Sequence, residues 1–169
     1  NAALTPDEIR ANMLRTLTGT ETGLQAAWHF DEVAGSVAND SSPNGNHATL
    51  SGPARVSSTA PVRNAQAPLG NALQLDGIDD FVNVPSAGWF AGDFTIEGWV
   101  YTRSYQSWSR LLDFGQGPAA DNVLLALTAG TTGFPQLSVY NGLTPSALDS
   151  SAILPLNTWT HLAATLNGT

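Results

Sequence analysis

The sequence predicts an all-β fold, an antiparallel jelly-roll β-sandwich with one short N-terminal helix. After Gly23 the chain is a series of short runs rich in β-branched and aromatic residues. Gly, Asn, Asp and Pro separate these runs. Helical spacing is confined to the N-terminal segment. Many short strands divided by turns are typical of a sandwich or jelly roll.

The N-terminal segment carries the signals that begin a helix. Thr5 is expected at the N-cap, Pro6 at the first helical position, and Glu8 as the partner that completes a capping box. We expect a helix of about three turns that ends at Gly19. The apolar side chains at helical spacing are Ile9, Met13 and Leu17.

The strands and turns then follow one another to the end of the sequence. A loop is predicted over Ser51–Pro68, which is rich in Pro, Ala and Ser. The predicted turns are Asp40–Asn46, Gly115–Pro118, Gly130–Pro135, Asn141–Gly142 and Asn167–Gly168. The predicted strands are Leu24–Phe30, Asn71–Asp76, Phe81–Val84, Asp93–Tyr101, Arg110–Phe114, Val123–Thr128, Gln136–Tyr140 and Trp159–Leu166.

Composition excludes several classes of protein. The chain has 169 residues, of which 42% are hydrophobic and 12% are charged, and its net charge is −8. All the basic residues are Arg, and an acidic chain without basic clusters argues against a nucleic-acid partner. The apolar runs are too short for a membrane span. Because the chain lacks cysteine, disulfides, thiolate zinc sites and a Cys nucleophile are excluded.

Four segments resemble the laminin-G-like, concanavalin A-like jelly-roll family. They are GLQAAWHFDEVAGSVANDSSPNGNHATL (Gly23–Leu50), GNALQLDGIDDFVNVP (Gly70–Pro85), FTIEGWVYTR (Phe94–Arg103) and NTWTHLAATLNGT (Asn157–Thr169). Their order and spacing match the family over most of residues 23–169. The resemblance predicts the fold, but the same fold hosts lectins, glycanases, adhesion modules and spacers.

The resemblance also implies how the chain is organised. Residues 1–22 resemble the tail of a preceding module, and residues 23–169 resemble a laminin-G-like domain without its last strands. We therefore expect a window from a tandem array. Strands supplied by a second copy would then build a head-to-tail homo-oligomer or a filament.

Catalytic patterns are weak in this sequence. Glycanases of this fold carry two or three alternating carboxylates on one strand, whereas the matching strand here offers Glu97 with Thr95 and Trp99 on the same face. One acid cannot be both proton donor and nucleophile, so we predict no enzyme activity. His29, His47 and His161 have no nucleophile-elbow pattern nearby and are interpreted as structural.

An acidic turn is the candidate metal site. Asp76, Asp79 and Asp80 place three carboxylates within five residues at the bend around Gly77. Crowded hard oxygen ligands suit calcium, and the family often carries a structural calcium on its loop rim. Asp31, Glu32 and Asp40 are further candidate ligands. The alternative is a solvated acidic hairpin turn.

Aromatic residues in loops are the candidate ligand contacts. Trp89 and Phe90 lie in a Gly-flanked loop, and Tyr105 and Trp108 lie between two strands. Aromatic faces with polar neighbours bind sugars. The alternative is that these side chains cap the sandwich or pack against a neighbouring module. Three further tryptophans in mid-strand positions are predicted core residues, namely Trp28, Trp99 and Trp159.

These observations together predict a non-catalytic adhesion or carbohydrate-binding module of a secreted or cell-surface protein, of bacterial origin. Its expected partner is a glycan or another protein module. The alternative is a structural subunit of an extracellular repeat array or filament, completed by strands from a neighbouring module or chain. Selective binding of a sugar would favour the first, because a spacer binds none.

Overall fold

The fold is all-β with one helix, as the sequence predicts, in the part of the chain that the structure describes. The computed structural model describes residues 2–57, 70–115 and 121–168. The elements are α1 (Pro6–Asn12), β1 (Val37–Ala38), β2 (Ala48–Ser51), β3 (Ala54–Ser57), β4 (Asn71–Gln74), β5 (Phe81–Asn83), β6 (Phe94–Tyr101), β7 (Arg110–Phe114), β8 (Val123–Ala126), β9 (Gln136–Asn141), β10 (Thr144–Asp149) and β11 (Trp159–Leu166).

Two compact units divide these elements. The first unit comprises residues 1–99 and 165–169, and the second comprises residues 100–164. The first unit contains the sheets β1-β2-β5 and β3-β4, and the second contains the sheet β10-β9-β8-β7. In these three sheets the neighbouring strands pair antiparallel. Strands β6 and β11 form a further two-stranded sheet.

Helix α1 begins where the capping box predicts. The Thr5 hydroxyl accepts from the Glu8 amide, and the Glu8 carboxylate accepts from the Thr5 amide at 2.8 Å. The helix ends at Asn12, so the expectation of three turns to Gly19 was wrong. Beyond the helix the Arg15 amide donates to the Asn12 carbonyl at 3.1 Å, and the Glu21 carboxylate accepts from the main-chain amides of Thr18 and Gly19, so these residues form a turn in place of further helix.

The core of the first unit surrounds β2. Its side chains alternate between buried and exposed, with Ala48 and Leu50 pointing inward beside Ala38 of β1. Partly buried apolar side chains pack against this cluster, and they are Trp28, Phe30, Leu73, Val82 and Val84.

The second unit has its core at β8. All four residues Val123–Ala126 are buried, and this strand lies between β7 and β9 in the sheet. Strand β10 is the edge of the same sheet, and all its side chains are exposed. The turn between β9 and β10 is the two-residue loop Gly142–Leu143, with Gly142 at φ +58°.

The predicted strand Leu24–Phe30 is wrong. Within it only Trp28 forms a bridge, with Asp40. Side chains of the following loop, rather than the main chain of a neighbouring strand, form hydrogen bonds with main-chain groups of this segment. The Ala27 amide donates to the Asp40 carboxylate at 2.9 Å, and the Gln25 carbonyl accepts from Ser42 Oγ at 3.2 Å. The segment is therefore held by a polar loop.

Other local predictions also need correction. The loop predicted over Ser51–Pro68 contains β3, while residues 58–68 lie outside the described residues, as do residues 116–118 of the predicted turn at Gly115–Pro118. Strands β4 and β5 pair with β3 and β2 respectively, so the turn around Gly77 joins two sheets and is not a hairpin. Strands β1, β2 and β10 were not predicted. The predicted core tryptophans are half-buried, and they are Trp28, Trp99 and Trp159.

Candidate functional site

The segment Arg103–Ser109, here called the aromatic loop, presents Trp108 to solvent. Trp108 is 43% exposed, and its backbone has φ +59°. A bulky residue rarely adopts this left-handed conformation, which costs about 1–2 kcal/mol. The strain is maintained by a hydrogen bond from the Trp108 amide to the Gly130 carbonyl at 3.1 Å. The fold therefore holds an exposed indole in a fixed, strained place.

The aromatic loop is anchored at both ends of its turn. The Leu127 amide donates to the Ser109 carbonyl at 2.7 Å. The Tyr105 hydroxyl donates to the Leu154 carbonyl at 2.6 Å. The ring of Tyr105 lies against Gly133, where an added Cβ would come within 2.7 Å of the ring. Tyr105 is thus a half-buried support, and Trp108 is the more accessible aromatic side chain of the pair.

The polar surroundings of Trp108 fit a ligand with hydroxyl groups. Gln106 and Ser107 precede it in the loop and are exposed. The facing turn, to which Trp108 is bonded through Gly130, carries the exposed residues Thr131 and Thr132. Amide and hydroxyl groups beside an aromatic face are the chemistry that sugar recognition needs.

Trp89 and Phe90 lie in the first unit and pack internally. The Trp89 ring is 6.0 Å from the Trp28 ring, and its indole N–H donates to the Pro85 carbonyl at 3.0 Å. The Phe90 ring lies edge-on to Phe94 at 4.7 Å. Both residues are half-buried. The four predicted ligand residues therefore divide between the units, with Tyr105 and Trp108 in the second.

The acidic turn brings its three carboxylates together. One oxygen from each of Asp76, Asp79 and Asp80 lies within 4.8 Å of the others. Asp76 Oδ1 accepts from the Ile78 amide at 2.8 Å, and this bond above all lowers the pKa of Asp76, while burial acts in the opposite direction. All three groups offer hard oxygen atoms, so the donor set fits calcium.

The acidic turn also packs closely against Gly52. Asp80 Oδ2 accepts from the Asp76 amide at 2.8 Å, while Asp80 Oδ1 lies where a Cβ on Gly52 would be, only 1.8 Å away. A side chain at Gly52 would therefore displace the Asp80 carboxylate. The other acidic candidates are engaged elsewhere, because Asp31 accepts from the Asn71 amide and Glu32 from the Asn39 amide.

Asp40 is a structural carboxylate. Its Oδ1 accepts from the Ala27 and Ser42 amides, and its Oδ2 accepts from Ser42 Oγ and the Asn46 amide. Burial raises the pKa of Asp40, but these hydrogen bonds outweigh burial and lower it. The nearby His47 Nδ1 accepts from the Asp40 amide at 3.1 Å, so it is not placed as a base on Ser42.

Glu97 is half-buried and accepts a hydrogen bond from the N-terminal segment. Burial raises the pKa of Glu97, while the hydrogen bond from Asn12 Nδ2 at 3.1 Å and the charge of Arg15 act in the other direction. Burial alone lowers the pKa of His161. Thr95 and Trp99, the same-face neighbours of Glu97 on β6, supply no second carboxylate.

A family model described as the concanavalin A-like lectin/glucanases superfamily, of the laminin-G type, matches residues 76–169. This is more than half of the chain. The chain belongs to this superfamily. The resemblance predicted from four sequence segments and the concanavalin A-like β-sandwich fold are therefore confirmed. Among curated proteins, no relative matches the chain.

One solved structure of similar fold is an S-layer domain-containing protein from Clostridium thermocellum. The two chains are 26% identical, with a TM-score of 0.54. The match covers 79% of this chain and 60% of that one, so this chain spans less than two thirds of the neighbour's length. Within the described residues of this superfamily member, no helix is both long and apolar enough to cross a membrane.

Proposed function

We propose that this superfamily member is a non-catalytic carbohydrate-binding or adhesion module of a secreted or cell-surface protein. The observation that carries the proposal is Trp108, whose indole is exposed on a strained and firmly anchored loop. Membership of a superfamily that includes lectins supports it, as does the likeness to an S-layer domain-containing protein. The ligand class is a neutral glycan, because the loop combines an aromatic face with amide and hydroxyl groups.

The physical basis is a match of surfaces. A pyranose ring has an apolar face, which stacks on an indole, and a polar rim, which bonds to nearby amides and hydroxyls. A fixed indole loses little conformational freedom when it binds. The anchoring of Trp108 to Gly130 and of Tyr105 to Leu154 therefore favours binding by a preformed loop.

The proposal excludes glycan cleavage. Hydrolysis of a glycosidic bond requires two carboxyl groups on either side of it. Glu97 is half-buried, and its carboxylate bonds to Asn12 of the N-terminal segment. The other residues on this face of β6 are Thr95, Trp99 and Tyr101, and none of them is an acid.

A glycan array with the intact chain tests the binding function. We expect selective binding of some glycans, and a loss of at least about tenfold in affinity for Trp108→Ala, in line with the truncation of an aromatic anchor. Leu148→Ala is the matched control, since Leu148 is a large exposed side chain on β10 of the same unit. Binding of no glycan, or equal affinity of Trp108→Ala and the parent, would overturn the proposal.

A structural role in a surface array is the second candidate. The likeness to an S-layer domain-containing protein favours it, because such proteins carry a domain named for a surface layer. A purely structural module would select no sugar on the array. It would instead associate with itself as concentration rises, in a manner indifferent to Trp108→Ala.

The acidic turn is proposed as a structural calcium site. Its support is the convergence of Asp76, Asp79 and Asp80, whose carboxylates repel one another in the absence of a cation. A bound ion would tie β4 to β5, which belong to different sheets. Calcium titration monitored by thermal unfolding tests this role.

A further inference from the structure

The N-terminal segment Ala2–Met13, here called the strap, bonds to three alternate residues on one face of β6, namely Thr95, Glu97 and Trp99. The Leu4 amide donates to the Thr95 hydroxyl at 2.9 Å, and the hydroxyl in turn donates to the Ala2 carbonyl at 3.0 Å. Asn12 Nδ2 donates to the Glu97 carboxylate at 3.1 Å. The indole N–H of Trp99 donates to the Met13 carbonyl at 2.9 Å.

These contacts mostly recognise main-chain atoms of the strap. The partners of Thr95 and Trp99 are the Leu4 amide and two carbonyls, and only the bond to Glu97 uses a strap side chain. Alternate residues of a strand point to one face, so β6 presents a hydroxyl, a carboxylate and an indole in a row. This face binds the strap as it would bind a peptide ligand.

The strap forms its own local structure. The Thr5–Glu8 capping box and the Asp7–Arg10 ion pair lie entirely within it. None of the residues of α1 is buried. Leu4, Ile9 and Met13 are half-buried. The strap is therefore held by hydrogen bonds and shallow apolar contacts rather than by fully buried side chains, and a segment of this kind opens at a lower cost in free energy than a core element.

The base of the strap is a firm turn. The Glu21 carboxylate accepts from the Thr18 and Gly19 amides and from the Arg15 guanidinium, which forms an ion pair with it at 2.7 Å. Gly19 is buried at φ +89°, where an added Cβ would lie 1.8 Å from the Ser41 carbonyl oxygen. The strap can therefore leave β6 while the turn that follows it stays in place.

We propose that the β6 face of Thr95, Glu97 and Trp99 is a docking site for the strap, and that the strap of a second copy of this chain occupies it when copies are concentrated. These four hydrogen bonds join atoms of the strap to the β6 face, so a strap of the same conformation from another copy makes the same bonds. The tethered strap prevails in dilute solution because its effective concentration is high, whereas an array of copies favours exchange. This inference is independent of glycan binding.

Hydrogen exchange of the intact chain tests whether the strap detaches as a unit. We expect the Leu4 amide and the Trp99 indole N–H to exchange together, at least about tenfold faster than the Ala27 and Asn46 amides held by Asp40. Exchange of all four groups in one event would show that the strap opens only when the first unit unfolds, and it would overturn the proposal.

A pair of complementary variants tests exchange between copies. Asn12→Asp places a second carboxylate against Glu97 of its own chain, and Glu97→Gln removes that charge from the face. In a mixed dimer with exchanged straps, the strap that carries Asn12→Asp lies on the face that carries Glu97→Gln. The other strap contact keeps the parent residues, so neither contact places two carboxylates together. We expect the equimolar mixture to contain several-fold more dimer than either variant alone, by mass measurement after incubation at high concentration.

The control mixture replaces Asn12→Asp with Asp7→Asn, which alters the charge of an exposed strap residue whose carboxylate pairs with Arg10 of the strap itself. It should form no more dimer than the parent chain. Protection of the Ala27 and Asn46 amides verifies that each variant is folded. A mixture of folded variants with no excess of mixed dimer would overturn the exchange of straps between copies.

Discussion

The indole N–H of Trp99 donates a hydrogen bond to the main-chain carbonyl of Met13 at 2.9 Å. The bond joins a residue of β6 to the last residue of the strap, 86 positions earlier. It explains why Trp99 is half-buried rather than a core residue, because a tryptophan with a polar partner lies where one edge of its ring can reach that partner. Together with the bonds to Thr95 and Glu97, it holds the strap on this side of β6.

Replacing Trp99 with Phe should loosen the strap. The change keeps most of the ring but removes the bond to Met13, so we expect a loss of about 0.5–1.5 kcal/mol in the free energy of unfolding. The Leu4 amide should also exchange faster. Trp28→Phe is the control, since it removes a comparable indole bond, to the Asn46 carbonyl at 3.0 Å. If both variants accelerate Leu4 equally, Trp99 does not act through the strap.

Two substitutions of Trp108 should distinguish the effect of backbone strain on stability from the role of the indole in glycan binding. Both Trp108→Ala and Trp108→Gly remove the indole, but only glycine adopts φ +59° without a steric penalty. We therefore expect Trp108→Gly to be about 1 kcal/mol more stable to urea than Trp108→Ala. Both variants should lose glycan binding alike. Equal stabilities would show that the left-handed backbone at this position carries no strain.

Calcium should stabilise the acidic turn. A cation that binds only the folded chain raises its melting temperature by mass action. We expect saturating calcium to raise the melting temperature of the parent and chelator to remove the increase. Asp79→Ala should abolish the response. Asp7→Ala, which removes an exposed carboxylate on α1, should leave it intact. A parent melting temperature indifferent to calcium would exclude the site.

Sequence patterns predicted the elements that depend on local chemistry. The capping box at Thr5 and Glu8 formed as expected, and β7 and β11 have the predicted bounds. Such elements are specified by short-range rules for caps and alternation. The fold class followed from the same signals, together with the family segments.

The errors come from contacts between distant residues. Leu24–Phe30 has the composition of a strand, but the side chains around Asp40 take its main-chain groups. Strand β10 was overlooked because Pro145 weakens a strand signal, although an edge strand tolerates proline. Composition could not show either the strap on β6 or the left-handed backbone of Trp108, since both depend on tertiary hydrogen bonds.

Acid should weaken the turn at the base of the strap. Burial raises the pKa of Glu21, but hydrogen bonds from Thr18, from the main chain and from Arg15 prevail and lower it from 4.5 to about 2. A carboxyl with a lowered pKa in the folded state stabilises it above the pKa of the unfolded state, and this stabilisation is lost as the pH falls. The window for Glu21 therefore runs from about pH 4.5 down to about pH 2.

Glu21→Gln should be less stable than the parent at neutral pH, because an amide accepts these bonds more weakly than a carboxylate. Its free energy of unfolding should then fall less than that of the parent as the pH drops from 4.5 to 2. Glu97→Gln is a control for which the expected change in pH dependence has the opposite sign. Burial raises the pKa of Glu97, so the ionised group destabilises the folded state at neutral pH and this penalty disappears on acidification. Urea titrations across this pH range measure both effects. A parallel pH dependence for Glu21→Gln and the parent would show that Glu21 does not hold the turn.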